Sequence, residues 1–298
     1  LDTLIKAGAR ILESACGFCI GNHQSPGTES VSLRTSNRNF YARSGTPSAN
    51  VYLVSPETAA FSAITGVFSD PRKSDADLTG IAMPGSFIID DSMFIKPSFS
   101  EEIKRGPNIG EPPVNTPLPE KVKGHAVIKV GEKITTDHIM PAGARLKYRS
   151  NIPRYSEFVF ESVDPSFPAR ASAYRDKGES GFIIAGASYG QGSSREHAAI
   201  CPMYLGIRAV CAVSIERIHQ ANLCNFGILP LLFRNEDDYE KIDQGDELEL
   251  LSPRDSVVSG KYILHDITKG LEIPMELFAS EDQKKTLLAG GRLNEVKA

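Results

Sequence analysis

Phe182-Ile183-Ile184-Ala185-Gly186-Ala187-Ser188-Tyr189-Gly190-Gln191-Gly192-Ser193-Ser194-Arg195-Glu196-His197 decides how this chain folds. Four apolar residues read as a buried strand, the glycines as a turn, and residues 194–205 as the helix that leaves it. The pattern continues downstream: 209–213 reads as a strand, 215–225 as a helix ending at Gly227, and 228–233 as a strand again. Strand 125–130 precedes this block, and strands near 247–250 and 261–267 follow it. A last helix opens on a capping box, Ser280 with Gln283, and stops at Gly290-Gly291. Alternating strands and helices predict an α/β chain.

Upstream the alternation is sparser. Residues 3–14 carry the apolar spacing of an amphipathic helix (Leu4, Ile5, Ala9, Ile11, Leu12). Residues 51–54 read as a strand, Ser55-Pro56-Glu57 as the start of a helix running to Gly66, and 87–89 as another short strand. Residues 97–123 break the pattern, with six prolines among Gly, Lys and Glu and no apolar period. They predict an extended, semi-rigid linker between residues 1–96 and 124–298.

With 298 residues, 41% hydrophobic and 23% charged, the composition is that of a soluble globular protein. A net charge of −4 argues against nucleic acid as a partner. No apolar run approaches the ~20 residues of a membrane span, and the N-terminus is no signal peptide. The chain opens on Leu1 within a helical pattern, as a fragment, a processed product or one half of a larger enzyme would. Its five cysteines form no secreted disulfide framework. Cys201, Cys211 and Cys224 lie among apolar neighbours and read as buried. A reducing compartment and a cytoplasmic location are expected.

Cys16-Gly17-Phe18-Cys19 alone has ligand or redox spacing. Such a pair can bind zinc, hold part of an iron–sulfur cluster, act as a redox dithiol, or be structural. A zinc ribbon needs a second pair, and none exists. A thioredoxin-like dithiol sits between a strand and a helix, whereas here a helical pattern precedes and Gly21-Asn22-His23 follow. Arg38 and Arg43, within Asn37-Arg38-Asn39-Phe40-Tyr41-Ala42-Arg43, offer planar forks for carboxylates or simply a solvated turn. Thr135-Thr136-Asp137-His138-Ile139, with Arg149 twelve residues after Asp137, offers an acid/base pair or plain turn chemistry. Ser193 and Glu196 have capping-box spacing, so Ser193 reads as an N-cap. The same helix start would also favour an anion or a serine alkoxide. A phosphate-binding P-loop is excluded by the missing Lys.

Taken in order, these four stretches resemble the aconitase family of iron–sulfur hydro-lyases over about residues 10–233. The resemblance implies the end of an α/β aconitase-type domain, a linker, and a swivelling β/β/α domain. It implies a lyase of the tricarboxylic acid cycle that isomerises citrate and isocitrate through cis-aconitate. Cys16 and Cys19 would ligate a [4Fe–4S] cluster whose third cysteine lies outside this chain. Ser193 would be the catalytic base. Arg38, Arg43, Arg149, Ser194 and Arg195 would bind a small-molecule tricarboxylate, with Asn37, Asp137 and His138 supporting and His197 as packing. Met140-Pro141 departs from the better-known aconitases, which have Ser there, and looks more like a bacterial branch. The family's upstream histidine–carboxylate pairs have no counterpart here. The chain is therefore expected to be a C-terminal half, inactive alone and completed by an N-terminal half. The alternatives are a related hydro-lyase acting on homocitrate, methylcitrate or isopropylmalate, a swivel subunit for a separate large chain, and a thiol oxidoreductase.

Overall fold

The computed structural model describes residues 1–13, 17–22, 24–36, 39, 41–74, 85–96, 104–107 and 109–297. The chain divides into two compact units, Leu1–Pro97 and Ser98–Ala298.

The first unit contains α1 (Asp2–Lys6), β1 (Val31–Arg34), β2 (Asn50–Leu53) and α2 (Pro56–Thr65). β1 and β2 pair in parallel, with Val31 opposite Asn50. Helix α2 begins and ends as its sequence predicts. Ser55 Oγ accepts from the Thr58 amide at 3.1 Å, Pro56 fills the first turn, and Gly66 closes the end. The helix expected over 3–14 is cut short at Lys6. Leu4, Ile5, Ile11 and Leu12 are all exposed, so no packed face sustains further turns. Phe87, Ile88 and Ile89 form no strand; they find no ladder partner among the described residues and are 65–102% exposed. Among the described residues of this unit only Ser44 and Ser62 are buried.

The second unit runs β3 (Lys121–Val130), α3 (Thr136–Ile139), α4 (Ile152–Ser156), α5 (Phe167–Arg175), β4 (Ser180–Ala185), α6 (His197–Tyr204) and β5 (Ile207–Ala212). It continues with α7 (Arg217–Asn225), β6 (Leu229–Phe233), β7 (Glu247–Leu251), α8 (Pro253–Ser259), β8 (Lys261–Asp266), β9 (Leu271–Glu276), α9 (Glu281–Ala289) and α10 (Arg292–Lys297). Seven strands close a barrel in the order β3-β4-β5-β6-β9-β8-β7. β3 to β6 run parallel and the remaining pairs antiparallel. The α/β class read from the sequence is the observed one.

The barrel's two halves are built differently. In β4, Phe182 and Ile184 enter one apolar cluster and Ile183 and Ala185 the other. In β5, Ala209 and Cys211 face the first cluster while Ile207, Val210 and Ala212 face the second. The first cluster draws residues from all seven strands and is the barrel interior; the second lies under α4 to α7. Parallel strands buried on both faces read as unbroken apolar runs. Strand β8 alternates buried and exposed positions instead, because no helix covers its outer face. The β3–β4 register slips between Ala126 and Ile128, and the Val127 carbonyl accepts from Arg170 Nε at 2.8 Å. The proline-rich stretch before β3 is tied to this unit. Asn115 Nδ2 donates to the Phe226 carbonyl at 2.9 Å, and the Leu118 amide donates to the Leu288 carbonyl at 3.2 Å.

Candidate active site

In a sheet of this kind ligands collect at the carboxyl ends of the parallel strands. There the segments following β3, β4 and β5 converge. The Gly190 and Gln191 amides both donate to the Ile134 carbonyl, at 2.8 and 3.0 Å, and the Thr136 amide donates to the Gln191 carbonyl at 2.8 Å. Tyr189 bridges to the segment after β5, its amide donating to the Ser214 carbonyl at 3.0 Å. Gly190, at φ +82°, lies flat on the buried ring of His219, and a Cβ there would come within 2.2 Å of the ring carbon Cγ.

The layer under this turn is buried and polar. Tyr189 OH, Thr136 Oγ1 and both ring nitrogens of His219 are buried and have no hydrogen-bond partner among the described residues. Burial drives the His219 imidazole down to about 4 and the Tyr189 phenol well above its usual range. His219 is therefore neutral at pH 7.

Above that layer, Arg195 clamps the turn after β3. Its Nη1 donates to Asp137 Oδ1 at 2.6 Å, to the Met140 carbonyl at 2.7 Å and to the Thr136 carbonyl at 3.3 Å. Arg195 is mostly covered and Asp137 mostly exposed. The charge-assisted bond joins two motifs far apart in the chain. His138 is exposed, and its Nδ1 is engaged by the backbone. It completes a capping box with Thr135, Thr135 Oγ1 accepting from the His138 amide and His138 Nδ1 accepting from the Thr135 amide, both at 3.1 Å. Of the two readings open for this stretch, His138 takes up turn chemistry, and Asp137 takes no part in the cap.

The helix expected to start at residue 194 starts at His197, with Glu196 at its N-cap position and no side-chain cap. Gly192, at φ +104°, keeps Ser193 in the turn. Ser193 therefore caps nothing, which removes the structural reason for a hydroxyl there. The half-buried Ser193 and exposed Ser194 hydroxyls make no hydrogen bond among the described residues. The same holds for the exposed Arg149 side chain, carried at the end of a 3-10 turn, Gly143–Tyr148. Sequence reasoning missed what fixes that turn. His197 Nε2 donates to the Arg149 carbonyl at 3.0 Å, and Tyr155 OH donates to the Pro141 carbonyl at 2.8 Å.

In the first unit, Cys19 and Arg43 come together, Arg43 Nη2 donating toward Cys19 Sγ at 3.7 Å. Gly21 permits this approach: a Cβ there would strike the Ser44 carbonyl oxygen at 2.1 Å. Cys16, Asn37 and Arg38 lie outside the described residues. Among the described residues no group of three or more His, Cys, Asp or Glu side chains is arranged to hold a metal ion. Cys19 nonetheless suits an iron cluster, being a half-buried thiol facing a guanidinium that offsets the negative charge of ligation. Cys201 and Cys224 do not, since burial pushes each thiol up to about 12, and Cys211 is pushed higher still. No helix among the described residues is long and apolar enough to cross a membrane.

Comparison with known proteins settles the family. The Aconitase C-terminal domain model matches residues 129–236, and the aconitase family (aconitate hydratase) model matches residues 1–66. The chain belongs to the aconitase family. Among aconitase-family relatives, the mitochondrial homocitrate dehydratase of Saccharomyces cerevisiae is 30% identical over 99% of this chain and 44% of its own length. The mitochondrial aconitate hydratase of Gracilaria gracilis is 30% identical over 100% of this chain and 44% of its own length. The chain thus spans less than half the length of these relatives. A solved structure of 3-isopropylmalate dehydratase from Methanocaldococcus jannaschii has a TM-score of 0.48 at 30% identity, covering 59% of this chain and 93% of that one. The cytoplasmic location expected from the composition does not stand, because relative after relative is named as mitochondrial. Cysteine content and net charge report redox poise and solubility, which do not separate these compartments.

Proposed function

We propose that this chain is the C-terminal part of an aconitate hydratase, interconverting citrate and isocitrate through cis-aconitate. The observation that carries the reading is the Arg195–Asp137 clamp, which ties the turn bearing Ser193 and Ser194, whose hydroxyls have no partner among the described residues, to the turn after β3. Ser193 Oγ takes the proton from the substrate carbon, and the neighbouring cation favours the alkoxide that does so. Arg149 holds a carboxylate with its uncommitted fork, and Ser194 and the remaining edge of Arg195 hold the substrate. Arg38 and Arg43 supply further guanidiniums, with Asn37, Asp137 and His138 in support. Cys16 and Cys19 would hold a [4Fe–4S] cluster, which supplies Lewis acidity toward the substrate hydroxyl when bound. The third thiolate and the acid that protonates the leaving hydroxyl are assigned to an N-terminal half, so this chain alone is silent. The exposed apolar residues of the first unit, Ile88, Phe94 and Ile95 among them, support such a partner.

The test is Ser193→Ala in the complete enzyme. Turnover of cis-aconitate should fall ~10²-fold or more, with the melting temperature unchanged because no cap is lost. Near-normal turnover sinks the assignment. A second reading, dehydration of homocitrate, is favoured by the yeast homocitrate dehydratase. A kcat/KM higher for homocitrate than for citrate would select it.

A further inference from the structure

Residues Arg195 and His197 hold the two ends of one segment. Arg195 Nη1 takes the Met140 carbonyl at 2.7 Å, and His197 Nε2 takes the Arg149 carbonyl at 3.0 Å. Between those ends runs the 3-10 turn that delivers Arg149. A carbonyl at the end of such a turn has no partner within it, and His197 supplies one from another element. The ring itself is fixed. It stands edge-on to Tyr155, centroids 5.2 Å apart at 64°, and Tyr155 is fully buried with its hydroxyl on the Pro141 carbonyl of the same segment. Because the acceptor is a carbonyl, Nε2 carries the proton. On the far side, Nδ1 lies 3.9 Å from Glu196 Oε1, beyond hydrogen-bond range, and that carboxylate is largely exposed.

From this geometry we infer that His197 is a positioning residue that sets Arg149 in register with Ser193. The inference rests on the reading of Arg149 as the group that grips a substrate carboxylate. Ser193 and His197 are four residues apart on one segment, so a hydrogen bond from His197 to the Arg149 backbone makes the carboxylate grip and the proton-abstracting hydroxyl share one frame. A substrate held at both points is then presented at a constant angle, the condition under which orientation lowers a barrier. His197 touches no substrate in this scheme.

The experiment uses the complete cluster-loaded enzyme with cis-aconitate, together with spectroscopy on the chain itself. His197→Phe keeps the ring against Tyr155 and removes the donor; His197→Gln restores an N–H at comparable reach. His197→Phe should raise KM about tenfold, the scale of one hydrogen bond lost to an ordered turn, with a smaller change in kcat, and His197→Gln should recover most of it. In an Arg149→Ala background, His197→Phe should raise KM no further. On the chain alone, amide hydrogen exchange across residues 146–151 should quicken in His197→Phe and return in His197→Gln. An Arg149→Ala effect on KM with none from His197→Phe overturns the positioning role and leaves the Arg149 reading intact. No effect from Arg149→Ala overturns that reading itself. A His197→Phe effect that persists at full size in the Arg149→Ala background marks His197 as ordinary packing, and overturns the inference.

Discussion

Replacing Gly190 by alanine puts one carbon where the fold has none to spare. The backbone sits at φ +82°, which costs an L-residue about 1–2 kcal/mol. The new Cβ would lie 2.2, 2.3 and 2.5 Å from Cγ, Cδ2 and Cβ of His219. That ring is fully enclosed and edge-on to Tyr189, so it cannot swing aside; forcing a carbon into such packing costs about 1–3 kcal/mol. Alanine stiffens the unfolded chain and returns about 0.4–1 kcal/mol. The expected net loss is about 3 kcal/mol. Gly143 is the matched control, at φ +60° with nothing within 4 Å of its Cβ position, and Gly143→Ala should cost only about 1 kcal/mol. Urea unfolding followed by far-UV circular dichroism reads the second unit, which holds most of the regular structure. Adding His219→Gly, which also removes the Cβ, should remove the contact term and leave a coupling of about 2 kcal/mol in a double-mutant cycle. A Gly190→Ala cost equal to that of Gly143→Ala, or no coupling to His219, would refute the reasoning.

Two further outcomes follow from buried groups. Since His219 is held at about 4 against 6.5 in the unfolded chain, the unfolded form binds the extra proton; its stabilising share is complete above pH 6.5 and is lost as the pH falls toward 4. The stability difference between the chain and its His219→Phe variant should therefore change by about 3 kcal/mol across that window, and a pH-independent difference would exclude a buried neutral imidazole. In native thiol labelling at pH 8 read by mass spectrometry, Cys19 should react first, with Cys201, Cys211 and Cys224 reacting only on unfolding; equal rates would contradict their enclosure.

The parallel half of the barrel is legible in the sequence because burial on both faces leaves nothing but apolar residues to read. The antiparallel half is less so. Strand β9, Leu271-Glu272-Ile273-Pro274-Met275-Glu276, carries a proline in mid-strand, the usual mark against a strand. Pro274 lies just beyond the last β6–β9 pair, Phe233 with Met275, so the N–H it lacks is missing at the end of that ladder, and its carbonyl still accepts from the Arg234 amide at 3.2 Å. Short helices such as α4 and α5 have too few turns for a period to show, and each is set by a proline in its first turn and by tertiary packing.

At the proposed site, local spacing drew attention to several residues whose backbone roles the fold then sets differently. Ser193 and Glu196 have the separation of a capping box, yet the helix starts only at His197, so Glu196 takes the N-cap position and Ser193 falls three residues short of it. Asp137 has the composition of a turn-former, but the clamp from Arg195 draws its carboxylate outward and leaves the backbone donor to His138. Both departures have one cause. The bonds that organise the site join residues 48 to 59 positions apart, Arg195 to Thr136, Asp137 and Met140, and His197 to Arg149. A capping rule sees four consecutive residues, and a hydrophobic period sees one face of one element. Neither contains the information that two loops end at the same edge of a barrel, where a guanidinium on one loop outcompetes local turn chemistry on the other because a charge-assisted bond is about twice as strong as a neutral one.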